Sequence, residues 1–154
     1  MSQSAAIWVD ADACPAVIKE TLFKAAQRTG IQLTLIANHP MRVAVGANIR
    51  FIQVDQGYDL ADHRLVQEVA PGDLVVTQDI PLAAELIEKK AEVVTPRGEE
   101  FTRENIKQRL NMRDFMETMR ASGVQTGGPA ALSSRDRQKF AAVLDSFCQR
   151  NKPA

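Results

Sequence analysis

Nowhere in the sequence do 18 apolar residues run together, which excludes a membrane-spanning helix of ordinary length. The N-terminus has neither a basic region nor an apolar stretch closed by small residues, so a soluble cytoplasmic protein is expected. Cysteine is scarce. Cys14 and Cys148 stand far apart with no metal-like spacing, which fits a reducing compartment. With only two histidines there is no histidine–cysteine cluster, and zinc is disfavoured. Gly127-Gly128 is not followed by Gly-Lys-Ser/Thr at the required distance, so there is no P-loop. No tail, linker or repeat divides the chain, and its 154 residues, 45% of them hydrophobic, suit a single domain over 1–154 with a real core.

Net charge is absent too, but its distribution is uneven. Residues 1–96 hold 8 Lys and Arg against 12 Asp and Glu, or −4, while residues 97–154 hold 11 against 7, or +4. Two solvated faces would explain a modest imbalance of this kind. An acidic, metal-binding centre served by a basic segment that holds a polyanion would explain it as well.

What is present starts with Ala6-Ile7-Trp8-Val9, an apolar run too short for a helix and readable as a strand buried on both faces. It ends in Asp10-Ala11-Asp12, and an extended backbone through Asp12 would turn both carboxylates to one side. Pro15 suits a helix start, Ile18, Leu22, Ala25 and Ala26 keep helical spacing, and Gly30 stops the helix. Strands are expected over 31–37, 49–54, 74–77 and 92–95, with helices over 58–70 and 80–90 between them. The alternation describes an open α/β sheet, mainly parallel and five-stranded, flanked by helices. Two C-terminal helices follow. One is capped by Thr102 and runs to about Ala121, with Met116 and Met119 as core filling. The other is capped by Ser133 or Ser134 and carries the stripe Phe140, Val143, Leu144 and Phe147.

Ligands of open α/β sheets bind beyond the carboxyl ends of the strands, where strand order reverses. Apart from Asp73, every aspartate of the sheet region falls there: Asp10 and Asp12 after the first strand, Asp55, Asp59 and Asp62 after the third, Asp79 after the fourth. To bring Asp79 beside Asp10, the fourth strand should pair with the first on the side opposite the second. Singly, Asp59 and Asp79 read as helix caps and Asp62 as a first-turn acid. Asp10 ends a buried strand, where an unpaired ionised carboxylate is costly. As a group these acids suit a hard cation, Mg²⁺ or Mn²⁺, held by Asp10, Asp59, Asp62 and Asp79. His39, His63, Lys19 and Glu20 read as surface residues or flanks of that site, Cys14 as a small packed thiol and Trp8 as core. Arg97 and Arg103 after the fifth strand, with Arg135, Arg137 and Lys139 at the last helix's start, form the candidate anion-binding group.

The segments VDADACPAVIKE, GYDLADHRLV, DLVVTQDIPLA and GGPAALSSRDRQKF together resemble the YaiI/YqxD family of uncharacterised bacterial proteins over nearly the whole chain. That family is in turn similar to PIN-like domains, metal-dependent nucleases related to flap endonucleases. The resemblance implies that the strand-end aspartate is Asp10, that Thr-x-Asp falls on Thr77-Gln78-Asp79, and that Asp59 or Asp62 is the intermediate helix acid. Where PIN nucleases commonly have one more acid shortly after Thr-x-Asp, this sequence runs Ile80 to Ala84 before Glu85; Asp12 is the candidate to compensate. The expectation is a divalent-metal-dependent nuclease, RNA ahead of DNA. Asp10, Asp12 and Asp79 would be catalytic, Thr77 would orient a ligand, and the five basic residues would grip the phosphate backbone. Two rivals stand beside it. One is a haloacid-dehalogenase-type phosphatase with Asp10 as nucleophile and Asp12 as acid; the other is an RNA-binding or regulatory protein that does not cleave.

Overall fold

The computed structural model describes residues 5–57, 60–123 and 131–152. A central sheet is built from β1 (Ile7–Asp10), β2 (Leu33–Ala37), β3 (Ile49–Gln53), β4 (Leu74–Val76), β5 (Glu92–Val94) and β6 (Glu100–Phe101). The helices are α1 (Ala16–Thr29), α2 (Leu60–Glu68), α3 (Ile80–Glu88), α4 (Ile106–Ala121) and α5 (Ser134–Asn151). Strand order is β3-β2-β1-β4-β5-β6, parallel throughout except for β6, which runs antiparallel to β5. Strand β4 thus lies beside β1 on the side away from β2, as the placement of the aspartates requires.

The strand period of two divides the core into two layers. Ile7 and Val9 of β1, Leu33 and Leu35 of β2, and Val76 of β4 pack with α1 and α5 on one face. Trp8, Ile36, Val75 and Val93 pack with α2 and α3 on the other. In α5, Phe140 and Phe147 are fully buried, each worth about 1.5–3 kcal/mol relative to exposure. Their helix is anchored at its start by a capping box between Ser133 and Asp136. Gly98 lets α5 approach the β5–β6 turn: at φ +83° an added Cβ would lie 2.5 Å from the Phe140 backbone nitrogen.

Five local readings change. The sheet has a sixth strand, Glu100–Phe101, whose two residues are too few to carry a period in the sequence. Strand β1 stops at Asp10, and Ala11–Ala13 turn into one round of 3₁₀ helix closed by Cys14 N–H to Ala11 O at 3.3 Å. Pro15 holds Cys14 extended after that turn and caps α1 from outside instead of opening it. Thr102 does cap, accepting from Asn105 N–H at 3.2 Å, but residues 103–105 form a turn and α4 proper starts at Ile106. Finally, Met116 and Met119 do not fill the core. They are half-buried, and α4 has no buried residue among its 16.

Candidate active site at the carboxyl edge of the sheet

The parallel register sets Val9 opposite Val76, so the next residues, Asp10 and Thr77, stand level at the carboxyl ends of β1 and β4. Thr77, only 2% exposed, donates its hydroxyl to Asp10 Oδ2 at 2.9 Å. The same hydroxyl accepts the Asp79 N–H at 3.1 Å, while Asp79 Oδ1 accepts from Leu82 N–H at 3.0 Å and caps α3. Capping and the site are therefore not rival explanations of Asp79. The cap is what orients it beside Asp10.

Burial pushes the Asp10 carboxyl above its ordinary range; the Thr77 hydrogen bond opposes this, and the negative charges of Asp79 and Asp12 add to it. Both charges that act on Asp10 here have its own sign. An oxygen-only donor set of this kind suits a hard cation. In number it is a pair. Among the described residues, no three His, Cys, Asp or Glu side chains are grouped so as to hold a metal ion. Asp59, the expected fourth ligand, and Tyr58 lie outside the described residues.

Asp12 is diverted. Because β1 ends before it, its carboxylate turns to the loop after β2, with Oδ1 2.7 Å from His39 Nδ1 and Oδ2 accepting the Asn38 N–H at 2.9 Å. Cys14, just beyond, is buried, and burial pushes its thiol up to about 12, so it is a packed and unreactive group as its sequence setting suggests. Lys19 lies with Nζ 3.8 Å from Met41 Sδ.

Asp79 also forms part of the wall of a cavity of about 210 Å³ between α2, α3 and α4. Asp62 and His63 of α2, Glu85 of α3 and Arg113 of α4 share that wall, with Pro81 and Leu82 as its apolar side. Two of these residues were not foreseen as site residues. Glu85 breaks the apolar run of α3, a signal available in the sequence. Arg113 has no such signal, since only the packing of α4 against α3 brings it there. Its guanidinium is held at 3.1 Å by Glu117 one turn along α4.

The anticipated basic group is elsewhere. Arg97 is bound to Asp136 at 2.6 Å and so ties the β5–β6 turn to the start of α5. Arg103, Arg135, Arg137 and Lys139 are exposed, and none of these five basic residues lines the cavity. No described helix is long and apolar enough to cross a membrane. Both cysteines are free and buried.

Comparison with known proteins gives a consistent result. Residues 8–150 match the family model described as "Uncharacterized BCR, YaiI/YqxD family". A "UPF0178 protein" of Halorhodospira halophila is 65% identical over 144 residues, covering 94% of this chain and 95% of that protein. One from Aliivibrio fischeri is 62% identical over 146 residues, covering 95% and 98%. One from Yersinia pestis is 59% identical over 144 residues, covering 94% and 95%. No solved structure matches the chain.

Proposed function

The chain belongs to the YaiI/YqxD family, and from that premise and the geometry of Asp10, Thr77 and Asp79 we propose that it is a divalent-metal-dependent phosphodiesterase. Its substrate is nucleic acid, RNA ahead of DNA, and its place the cytoplasm. The observation that carries this reading is Asp10: a carboxylate desolvated at the switch point of a parallel sheet, joined through Thr77 to Asp79 and raised further by the charges of Asp79 and Asp12. A protein gains nothing in stability from that arrangement, and a bound cation would offset its cost.

Asp10 and Asp79 would hold the cation, and Asp62 and Glu85 share a cavity wall with Asp79. When bound there, Mg²⁺ or Mn²⁺ would supply a more acidic water and neutralise charge on the phosphate. Thr77 donates its hydroxyl to the Asp10 carboxylate and accepts the Asp79 backbone N–H, so one side chain fixes the first acid and the backbone of the second. Arg113, on the cavity wall, would bind a phosphate oxygen, leaving Arg103, Arg135, Arg137 and Lys139 for backbone contacts further along the strand. Arg97 serves that group indirectly, by holding the start of α5.

The phosphatase reading requires Asp12 as general acid beside Asp10, and its engagement with His39 and Asn38 counts against that. The non-cleaving RNA-binding reading draws on the paired, not threefold, set of acids among the described residues. One experiment separates all three. The pure protein is incubated with Mg²⁺ or Mn²⁺ and labelled single-stranded and structured RNA and DNA, beside a generic phosphomonoester. Metal-dependent cleavage of nucleic acid that disappears in Asp10→Asn is the expected result. Cleavage that persists in the variant, or nucleic acid left intact under every metal condition, overturns the proposal. Salt-sensitive binding without cleavage establishes the binding protein, and release of phosphate through a covalent aspartyl intermediate the phosphatase.

A further inference from the structure

Asp12 and His39 form a pair that the cation site does not use. The register sets Asp10 opposite Ile36, so Asn38 and His39 follow β2 out past the level of Asp10, while Thr77 and Asp79 stand on the β4 side of it. The Asp12 carboxylate is held at both oxygens: Oδ2 accepts the Asn38 N–H at 2.9 Å, and Oδ1 lies 2.7 Å from His39 Nδ1. The other neighbour of Nδ1, at 3.3 Å, is the Asn38 side-chain oxygen. Both neighbours are acceptors, so Nδ1 carries the proton, and in the neutral ring the lone pair is on Nε2. That nitrogen meets no partner among the described residues, on a side chain 51% exposed. The ring is tethered through one nitrogen and presents the other. The pair is close to the site, since the charge of Asp12 acts on Asp10.

We propose that His39 Nε2 is the general base of the phosphodiester hydrolysis, with Asp12 as the residue that positions it; the inference rests on the phosphodiesterase reading above. A water that adds to phosphorus must lose a proton, and Nε2 takes it as the new O–P bond forms. The bond from phosphorus to the leaving sugar oxygen breaks with its electron pair. That oxygen takes a proton from solvent, and the imidazolium returns its own to solvent. Asp12 keeps the tautomer that can accept, and its charge offsets the one the ring gains.

The test compares wild type, His39→Ala, Asp12→Asn and Asp10→Asn in Mn²⁺-dependent cleavage of labelled RNA, with melting temperatures measured with and without Mn²⁺. His39→Ala is expected to lose about 10²–10⁴-fold in kcat with KM nearly unchanged. It should keep the wild-type melting temperature and its rise with Mn²⁺. Imidazole added to the buffer should restore part of the His39→Ala rate and none of the Asp10→Asn rate, a rescue that a structural role cannot give. Asp12→Asn should lose kcat without rescue, because its own ring is present in the wrong tautomer. His39→Ala that cleaves like wild type, or whose loss imidazole does not restore, overturns the inference and leaves the metal-dependent reading standing. Loss of the Mn²⁺ response in His39→Ala also overturns it, by making Nε2 a ligand. RNA left intact by wild type overturns both readings at once.

Discussion

Strands β1 and β4 carry an aspartate at each end of their shared ladder, and the two are treated in opposite ways. At the amino edge Asp73, 5% exposed, accepts three hydrogen bonds: from Ala6 N–H at 2.9 Å, from Trp8 Nε1 at 2.9 Å and from Ala70 N–H at 3.0 Å. At the carboxyl edge Asp10 accepts from Thr77 and feels the like charges of Asp79 and Asp12. The first is a staple between strands, saturated by donors that would otherwise be orphaned. The second is desolvated, opposed by like charge and linked through Thr77 to Asp79, which lines a cavity. A buried acid that folding satisfies and a half-buried acid that folding strains call for different substitutions.

The largest effect is expected at the satisfied end. Asp73→Ala removes the acceptor of the buried Trp8 indole and of two backbone N–H groups, and unfolding in urea should show a loss of about 3 kcal/mol. A loss under 1 kcal/mol would mean that water reaches those donors and that Asp73 is no staple.

An intermediate effect is expected at Asp79, where two roles overlap. Asp79→Ala removes the α3 cap and should cost about 1 kcal/mol, whereas Asp79→Asn, which caps about as well, should leave stability nearly unchanged. Both should abolish the metal-dependent cleavage proposed above. Retained cleavage in Asp79→Asn would confine this residue to its cap.

The smallest effect, and the one of opposite sign, is at Asp10. Because its carboxyl is raised in the folded state, its contribution to stability is fully present below the ordinary carboxylate range and is lost as pH rises through the raised value. Asp10→Asn should therefore match wild type in acid and unfold at a higher temperature than wild type at neutral pH without metal. Mg²⁺ or Mn²⁺ should raise the melting temperature of wild type and not of the variant. If the variant is less stable than wild type at neutral pH in the absence of metal, Asp10 is a second staple and the contrast with Asp73 collapses.

Much of this fold can be read along the chain. Runs such as Ile7-Trp8-Val9 and Leu74-Val75-Val76 are apolar without alternation because both sheet faces are covered, and Gly30 marks the end of α1 by adopting φ +79°. The pairing of β4 with β1 was legible from where the aspartates fell. Asp12 does not share the direction of Asp10, because its place depends on the backbone turn over Ala11–Ala13 and not on the strand period. The methionines of α4 were misjudged because a helical stripe has the same pattern whether it meets the core or solvent.

The sequence by itself determined the element types, the parallel architecture and the edge on which the acids lie, since these follow from local period, turn residues and strand ends. Only the tertiary structure decided which acids share one environment. It joined Asp10 to Asp79 through Thr77, sent Asp12 to His39, and brought Glu85 and Arg113 to one cavity. Desolvation, like-charge proximity and the approach of α4 to α3 depend on contacts between residues distant in the chain, and no local pattern encodes them.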